Sequence, residues 1–169
     1  EVVAHDSNGK LTKVDLTAFN SLSAQSTTQI NFSGNVKADQ NSPPKFNVSV
    51  FNSMGEKITL QVKLTRDQTE GKTNAWKVNI QDDKNNDLTA VPLDLEFDAN
   101  GQVKAEFAKQ PFTIPAPNNG SAAVPLELTL NFADQAGIDG LRLSATSSFT
   151  VKGNSADGRS LSGIKDISF

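Results

Sequence analysis

The chain of 169 residues contains no cysteine and no tyrosine, and it has one histidine, one tryptophan and one methionine. Without cysteine it cannot form a disulfide framework or a thiolate metal site. This absence does not fix the compartment, because cytosolic and exported proteins can both lack cysteine. The only imidazole, His5, lies in a segment rich in Asp, Ser, Asn and Gly, which is typical of a surface turn. A Ser-His-Asp triad or a histidine metal site would therefore depend on one poorly placed residue.

Long apolar runs and long runs of like charge are also missing. No apolar stretch approaches the roughly 20 residues of a membrane span, and no signal peptide precedes the first turn. The net charge is −3, and lysines and acids are interspersed. Nucleic-acid binding would favour a basic stripe, which the sequence lacks. We therefore expect neither a membrane nor a nucleic-acid partner. Because residue 1 is Glu and the last residues begin another strand pattern, we expect a fragment of a longer protein.

Alternation of apolar and polar residues is the strongest pattern present. In residues 57–65, Ile58, Leu60, Val62 and Leu64 share one face and polar residues share the other. A side-chain period of two predicts a strand with one buried face. Further strands are predicted at 29–32, 46–51, 76–80, 91–97, 103–107, 124–132 and 141–151. No segment of eleven or more residues has helical spacing. The sequence predicts an all-β protein, an antiparallel barrel or sandwich with long polar loops.

Turn chemistry separates these strands. A short glycine-containing connection at 52–56 predicts a hairpin, and Asn100-Gly101 predicts another between 91–97 and 103–107. Residues 111–125 hold four of the seven prolines, which predicts an extended, exposed stretch. Residues 152–158 are predicted to be a flexible turn. Residues 11–22 could be a short strand or a loop.

Acidic residues supply the remaining candidates for a metal or an acid/base site. Asp82, Asp83 and Asp87 lie in one loop, but this loop lacks the turn glycine and closing glutamate of a calcium loop. Asp94 and Glu96 alternate with apolar residues and belong to the solvent-facing side of a predicted strand. We therefore expect no metal site and no catalytic pair here.

The tryptophan and the glycines also give no evidence for a ligand site. Trp76 could stack on a sugar, but its alternation with Val78 and Ile80 favours a core position. The glycines are spaced for turns and form no phosphate-binding motif. We expect no cofactor and no enzymatic activity.

Several segments, in this order, resemble the bacterial flagellar hook protein family. Residues 46–60 are similar to its V-Y-D-S-L-G-x-x-H-x-L segment, 75–78 to its x-W-x-V strand, and 95–103 to its F-D-x-N-G-x-L hairpin. Residues 126–132 are similar to its L-x-L-x-F strand, and 157–164 to its G-x-x-x-G-x-L-x-G-I passage. The family's Tyr-Asp is Phe51-Asn52 here, and the aromatic often found near Gly158 is missing. The residues that carry the resemblance are Phe51, Asn52, Ser53, Met54, Gly55, Trp76, Phe97, Asp98, Asn100, Gly101, Gly158, Leu161 and Gly163.

The resemblance implies a layout and a function. Residues 1–23 would belong to a partial inner β domain, 24–151 to an inserted outer β-barrel, and 152–169 to the return into the inner domain. The whole protein would be a structural subunit of the hook, a flexible tube that transmits torque from the motor to the filament. It would be exported without a cleaved signal peptide and would bind copies of itself and other flagellar axial proteins. The helical segments that drive polymerisation lie outside this chain, so we expect it to be a monomer.

Contacts between subunits would be made by polar loops at 66–74 and 81–87 and by residues 111–125. Lys72, Lys84 and Asp87 are the candidate contact residues. Two alternatives remain open from the sequence. Rod proteins of the same axial family share parts of these motifs, so a distal rod protein is one. The other is a secreted β-sandwich that serves as a binding or adhesin module.

Overall fold

The computed structural model describes residues 3–5, 11–13, 23–40, 43–116, 124–133 and 140–160. These residues form eleven strands and one short 3-10 turn at Ala105–Phe107, and they contain no α-helix. The predicted all-β class is confirmed. The strands are β1 Val3–His5, β2 Leu11–Lys13, β3 Gln29–Lys37, β4 Phe46–Phe51, β5 Lys57–Arg66, β6 Ala75–Gln81, β7 Leu93–Glu96, β8 Lys109–Ile114, β9 Leu126–Asn131, β10 Leu141–Ser144 and β11 Lys152–Ser155.

One sheet is antiparallel and follows chain order, β4-β5-β6-β7. The predicted hairpin at 52–56 is confirmed, because Phe51 lies opposite Lys57 and Val48 opposite Leu60. The longest alternating run becomes β5, whose first part pairs with β4 and whose second part pairs with β6. The period-two pattern therefore predicted β4, β5 and β6 correctly.

The other sheet is centred on β3 and has the order β10-β3-β9-β8, with β11 also paired to β3. β3 runs parallel to both β9 and β10, and antiparallel to β11. The expectation of purely antiparallel pairing is thus incorrect for this sheet. Hairpin signals report only pairs of strands that are neighbours in sequence, whereas β3 pairs with strands about 100 residues away.

A single apolar cluster fills the space between the two sheets. Trp76 is 1% exposed, which confirms its predicted core position, and it shares the cluster with Leu60, Leu95 and Leu128. The rings of Phe32 and Phe132 stack with centroids 4.8 Å apart. Each fully buried side chain of this size contributes about 1.5–3 kcal/mol relative to exposure.

β11 contradicts the predicted turn at 152–158. Lys152 lies opposite Ser33 and Ser155 opposite Ile30, so this segment is a strand of the β3 sheet. Gly153 packs where a Cβ atom would come within 2.6 Å of Val48 and 3.0 Å of Phe32. The glycine that indicated a turn is instead required because the strand passes close to the core.

Three further predictions near the middle of the chain are wrong in whole or in part. Val103 forms only an isolated bridge with Phe97, and the chain then turns in a 3-10 conformation rather than continuing as a strand. Residues 109–114 form β8 rather than an exposed stretch, with Phe112 and Ile114 buried. Val91 is 74% exposed, and β7 begins after it at Leu93.

Pro111 fits inside β8 because its nitrogen faces away from β9. The N–H of Thr129 donates to Thr28, so the backbone of Thr129 faces β3 rather than β8. Pro111 lies opposite Thr129 in a non-hydrogen-bonded pair, in which each backbone points away from the partner strand. Pro111 therefore breaks no ladder hydrogen bond to β9.

The start of the chain forms a separate two-stranded pair, with Val3 opposite Lys13 and His5 opposite Leu11. His5, which was predicted to lie in a surface turn, is instead the last residue of β1. The rest of that predicted turn, residues 6–10, lies outside the described residues. So do Leu161, Gly163 and the further strand expected at 164–169, together with most of the segment predicted to be exposed beyond 116.

Candidate interaction surface

The outward face of the β4–β7 sheet is polar, and its side chains bond to one another. Thr65, Lys77 and Asp94 lie side by side on three strands, and Lys77 is hydrogen-bonded to Asp94. Lys45 donates to the side-chain oxygens of Gln81 at 2.6 Å and Asn85 at 3.1 Å. Partly exposed pairs of this kind contribute about 0–1 kcal/mol each, so the face is polar and only weakly adhesive.

A charged cluster lies around the β5–β6 turn. Lys72 Nζ is 3.4 Å from Asp67 and 3.5 Å from Glu96, and Lys104 Nζ is 2.7 Å from Glu96. Hydrogen bonds from the Thr69 hydroxyl at 2.5 Å and the Thr69 N–H at 3.1 Å lower the pKa of Asp67 from 3.8 to about 2, with help from Lys72. The hydrogen bond from Lys104 likewise lowers the pKa of Glu96 and raises the pKa of Lys104.

Three tight turns share one hydrogen-bond pattern. Each begins with an Asn or Asp whose side-chain oxygen accepts from the N–H groups of the third and fifth residues. The fourth residue is left-handed and donates its N–H to the first carbonyl group. The first residues are Asn52, Asp82 and Asp98, and the left-handed residues are Gly55 at φ 77°, Asn85 at φ 64° and Gly101 at φ 74°.

These turns explain several of the signature residues in physical terms. Asn52 is 3% exposed, and its amide also donates to Glu56 at 2.7 Å. Hydrogen bonds from Asn86 lower the pKa of Asp82 in the equivalent position. An Asn or Asp followed three residues later by Gly or Asn is a signal that could have revealed all three turns from sequence. The acids of the 82–87 loop thus bind their own backbone and neighbours.

The predicted contact residues are not brought together into one patch. Lys72 lies in the turn before β6, whereas Lys84 and Asp87 lie in the turn after it, about 20 Å away at the rise of a seven-residue strand. Asp87 accepts hydrogen bonds from Gln81 and Asn79, both at 2.8 Å. These two bonds, together with the charges of Lys45 and Lys63, lower the pKa of Asp87. Lys84 is exposed.

The sequence analysis missed Thr27, Thr28 and Asp157, which the fold brings together. Asp157 accepts from the N–H of Thr28 at 2.9 Å and is also bonded to the Thr28 hydroxyl. These residues are 129 positions apart, so no local pattern could have indicated the contact.

Two kinds of feature are absent from the part of the chain that the structure describes. There, no group of three or more His, Asp or Glu side chains is placed to hold a metal ion. No helix in that part is long and apolar enough to cross a bilayer.

Comparison with known proteins identifies the family. Among curated proteins, none was found to match this chain. A 32 kDa fragment of the flagellar hook protein FlgE from Caulobacter crescentus is similar at TM-score 0.45 and 16% identity, over 70% of this chain and 47% of that chain. The flagellar hook protein FlgE2 of Helicobacter pylori is similar at TM-score 0.43 and 19% identity, over 70% of this chain and 25% of that chain. This chain thus spans less than half of either protein.

The family profile described as "Flagellar basal body protein FlaE D2 domain" matches residues 21–159, which is most of the chain. The match includes the hook-like segments at 46–60, 75–78, 95–103 and 126–132 and the start of the one at 157–164, but not Leu161 or Gly163. The resemblance to the flagellar hook family is therefore confirmed, and the chain belongs to the family of the FlaE D2 domain of flagellar basal body proteins.

Proposed function

We propose that this chain is the outer domain of a flagellar hook subunit and that its work is mechanical rather than catalytic. The family match over residues 21–159 carries this proposal. The whole protein would then lie outside the cell in the flagellum, in contact with copies of itself and with other axial proteins.

The arrangement of the domain suits such a role. One apolar cluster holds both sheets together, so the domain can move as a unit. Its outward side chains on the β4–β7 sheet are polar and already bonded within the chain. Contacts made through such a surface exchange at low cost, whereas a large apolar patch would hold neighbours in one geometry.

The domain boundaries proposed from the sequence need one adjustment. We keep the start near residue 24, because Gln25 bridges to Arg159 at the base of the domain. That bridge and strand β11 support an outer domain that ends near 159 rather than at 151. Residues before and after this range would belong to the inner domain.

A second candidate, a protein of the distal rod, is favoured by the wording of the family description, which refers to the basal body. Immunogold electron microscopy with antibodies raised against this chain separates the two. On cells that encode the protein, gold on the curved segment between cell and filament supports the hook. Gold only on the rod of isolated basal bodies supports the rod, and gold spread over the cell surface contradicts both.

Among the proposed contact residues, Lys84 is the best probe because it is exposed at the tip of a turn. Reversal at Lys72 would break ion pairs with Asp67 and Glu96, and reversal at Asp87 would break two hydrogen bonds that close the turn. The effects of those two reversals on swimming would therefore combine a loss of folding stability with a loss of contacts between subunits.

We expect Lys84→Glu to alter hook curvature and slow swimming, because a repulsive charge would weaken contacts between neighbouring subunits. The unfolding midpoint of the isolated chain should remain unchanged, and Lys84→Arg is the control that keeps the charge. Normal swimming and curvature in Lys84→Glu cells would contradict a contact role for this loop.

A further inference from the structure

The two chain segments that enter and leave the domain meet at its base. Gln25 and Arg159 exchange backbone hydrogen bonds of 3.1 and 3.0 Å, and the Arg159 Nε donates to the carbonyl group of Ser23 at 3.3 Å. Ala156 then donates to Gln29 at 3.0 Å, where β11 begins to pair with β3. Any force that the rest of a longer protein applies to this domain passes through these two neighbouring segments.

Thr27 joins this base to the other sheet. Its side chain is fully buried, its N–H donates to the Phe51 carbonyl oxygen at 2.9 Å, and its hydroxyl oxygen accepts from the Phe51 N–H at 2.9 Å. Gly158 packs directly against it, because a Cβ at that position would lie 1.8 Å from Thr27 Oγ1. The entering segment, the leaving segment and the end of β4 are therefore in contact at one point.

Asp157 adds charge-assisted bonds at the same place. One carboxylate oxygen accepts from the N–H groups of Thr28 at 2.9 Å and Gln29 at 3.4 Å, and the other is bonded to the Thr28 hydroxyl. Partial burial opposes ionisation of Asp157, but these hydrogen bonds outweigh it and hold the pKa of the carboxyl below its usual value. The bonds are therefore to a carboxylate, which makes them stronger than bonds between neutral groups.

We propose that Thr27, Thr28, Asp157 and Gly158, together with Phe51, form a neck clasp that sets the resistance of the domain to force applied through its two ends. Pulling neighbouring antiparallel segments apart breaks their hydrogen bonds one after another, beginning at Gln25 and Arg159. The clasp is the next obstacle, and behind it β11 would peel from β3. This inference concerns how the domain bears load and holds whether or not the domain belongs to a hook.

Single-molecule pulling on the full 169-residue chain tests the clasp. Because the chain has no cysteine, Ser23→Cys and Ser160→Cys place the only two pulling handles on the entering and leaving segments at the base of the domain, which together form the neck. A second version with Glu70→Cys and Asp83→Cys applies force across β6, in the exposed turns at its two ends. Asp157→Asn is introduced into both, and Thr28→Val serves as a milder second variant. Asp67→Asn is the matched control, because Asp67 also accepts from a threonine N–H and hydroxyl, at the other end of β5 from Phe51.

We expect Asp157→Asn to raise the unfolding rate at fixed force about tenfold when force enters through the neck, the effect of losing one strong hydrogen bond before the barrier. Thr28→Val should act in the same direction. Both should leave the rate across β6 nearly unchanged, and Asp67→Asn should leave the neck rate nearly unchanged. The proposal is overturned if the clasp variants unfold like the parent chain through the neck. It is also overturned if they weaken both pulling directions equally, or if Asp67→Asn weakens the neck as much.

Discussion

At the scale of the residue, Gly101 shows how one missing side chain permits a close approach. It is left-handed at φ 74°, its carbonyl oxygen accepts from Leu143 at 2.8 Å, and a Cβ would lie 2.3 Å from the Leu143 carbonyl oxygen. We expect Gly101→Ala to lower the free energy of unfolding by about 2–4 kcal/mol, through left-handed strain and displacement of β10.

Gly71 provides the matched control for this prediction. It is also left-handed, at φ 85°, but a Cβ there would meet nothing within 4 Å. Gly71→Ala should therefore cost only the backbone strain, about 1–2 kcal/mol. Urea unfolding of both variants measures the difference, and equal losses would show that the contact with Leu143 has no energetic role.

Asp67 gives a prediction about pH. Its pKa of about 2 in the folded protein lies below the ordinary 3.8, so its ionised form stabilises the fold above about pH 4 and this contribution is lost as the pH falls toward 2. The cations that face it are Lys72 at 3.4 Å and Lys77 at 3.8 Å. The difference in unfolding free energy between the parent chain and Asp67→Asn should therefore be largest near neutral pH and shrink between pH 4 and 2, as measured by urea unfolding at each pH.

The control for this titration is Asp83→Asn, which removes an exposed carboxylate from the β6–β7 loop and the same net charge. It should change stability little across the range. A difference for Asp67→Asn that stays constant from pH 7 to 2 would contradict the role given to the Asp67 carboxylate.

At the scale of the element, the three similar turns differ in whether the first residue is Asn or Asp. In two of the turns the first residue is a carboxylate, Asp82 or Asp98. In the third it is Asn52, whose amide donates to the Glu56 carboxylate at 2.7 Å. Asn52→Asp should therefore place two carboxylates in contact and lower the unfolding free energy by about 1–3 kcal/mol at neutral pH. Adding Glu56→Gln should restore most of the loss, since the new amide can donate to the carboxylate introduced at residue 52. Thermal unfolding of the single and double variants measures this, and no recovery would show that the loss has another cause.

β8 gives a prediction about an edge. Among the described strands β8 pairs only with β9, and Pro111 removes a donor from its open side. Proline at a strand edge discourages pairing with another chain. We expect Pro111→Val to change the unfolding free energy by less than about 1 kcal/mol but to increase self-association, as measured by light scattering against concentration.

Pro115→Val, beyond the end of β8, is the control for general loss of proline. It should leave the scattering unchanged. Equal scattering by the parent chain and both variants would argue that β8 needs no protection.

Strands with an alternating pattern could be predicted from the sequence, and those defined by distant partners could not. β5, β6 and β9 carry enough apolar residues on one face to be recognised alone. β11 has the sequence Lys-Gly-Asn-Ser, and only β3 on one side and Val48 beneath Gly153 make it a strand. The same reason separates the turn residues Asn52 and Asp98, whose partners lie within four positions, from the contact of Thr28 with Asp157.

At the scale of the whole molecule, the two sheets share one core rather than two. Phe32 of β3 and Trp76 of β6 lie in the same buried cluster, although their strands belong to different sheets. Thr27 and Phe51 add a hydrogen-bonded connection between the sheets at the base. A domain joined in this way should unfold in a single cooperative step.

Trp76 makes this cooperativity measurable, because it is the only tryptophan and the chain has no tyrosine. We expect Trp76 fluorescence and far-ultraviolet circular dichroism to show the same urea midpoint. Phe32→Leu, in the other sheet, should lower both midpoints together, with a loss of about 1–3 kcal/mol from the stacked pair with Phe132. Val91→Ala, at a residue that is 74% exposed, is the control and should leave both midpoints in place. If the fluorescence midpoint stayed fixed in Phe32→Leu while the dichroism midpoint fell, the sheets would unfold separately, and the domain could not transmit force from one sheet to the other as a single body.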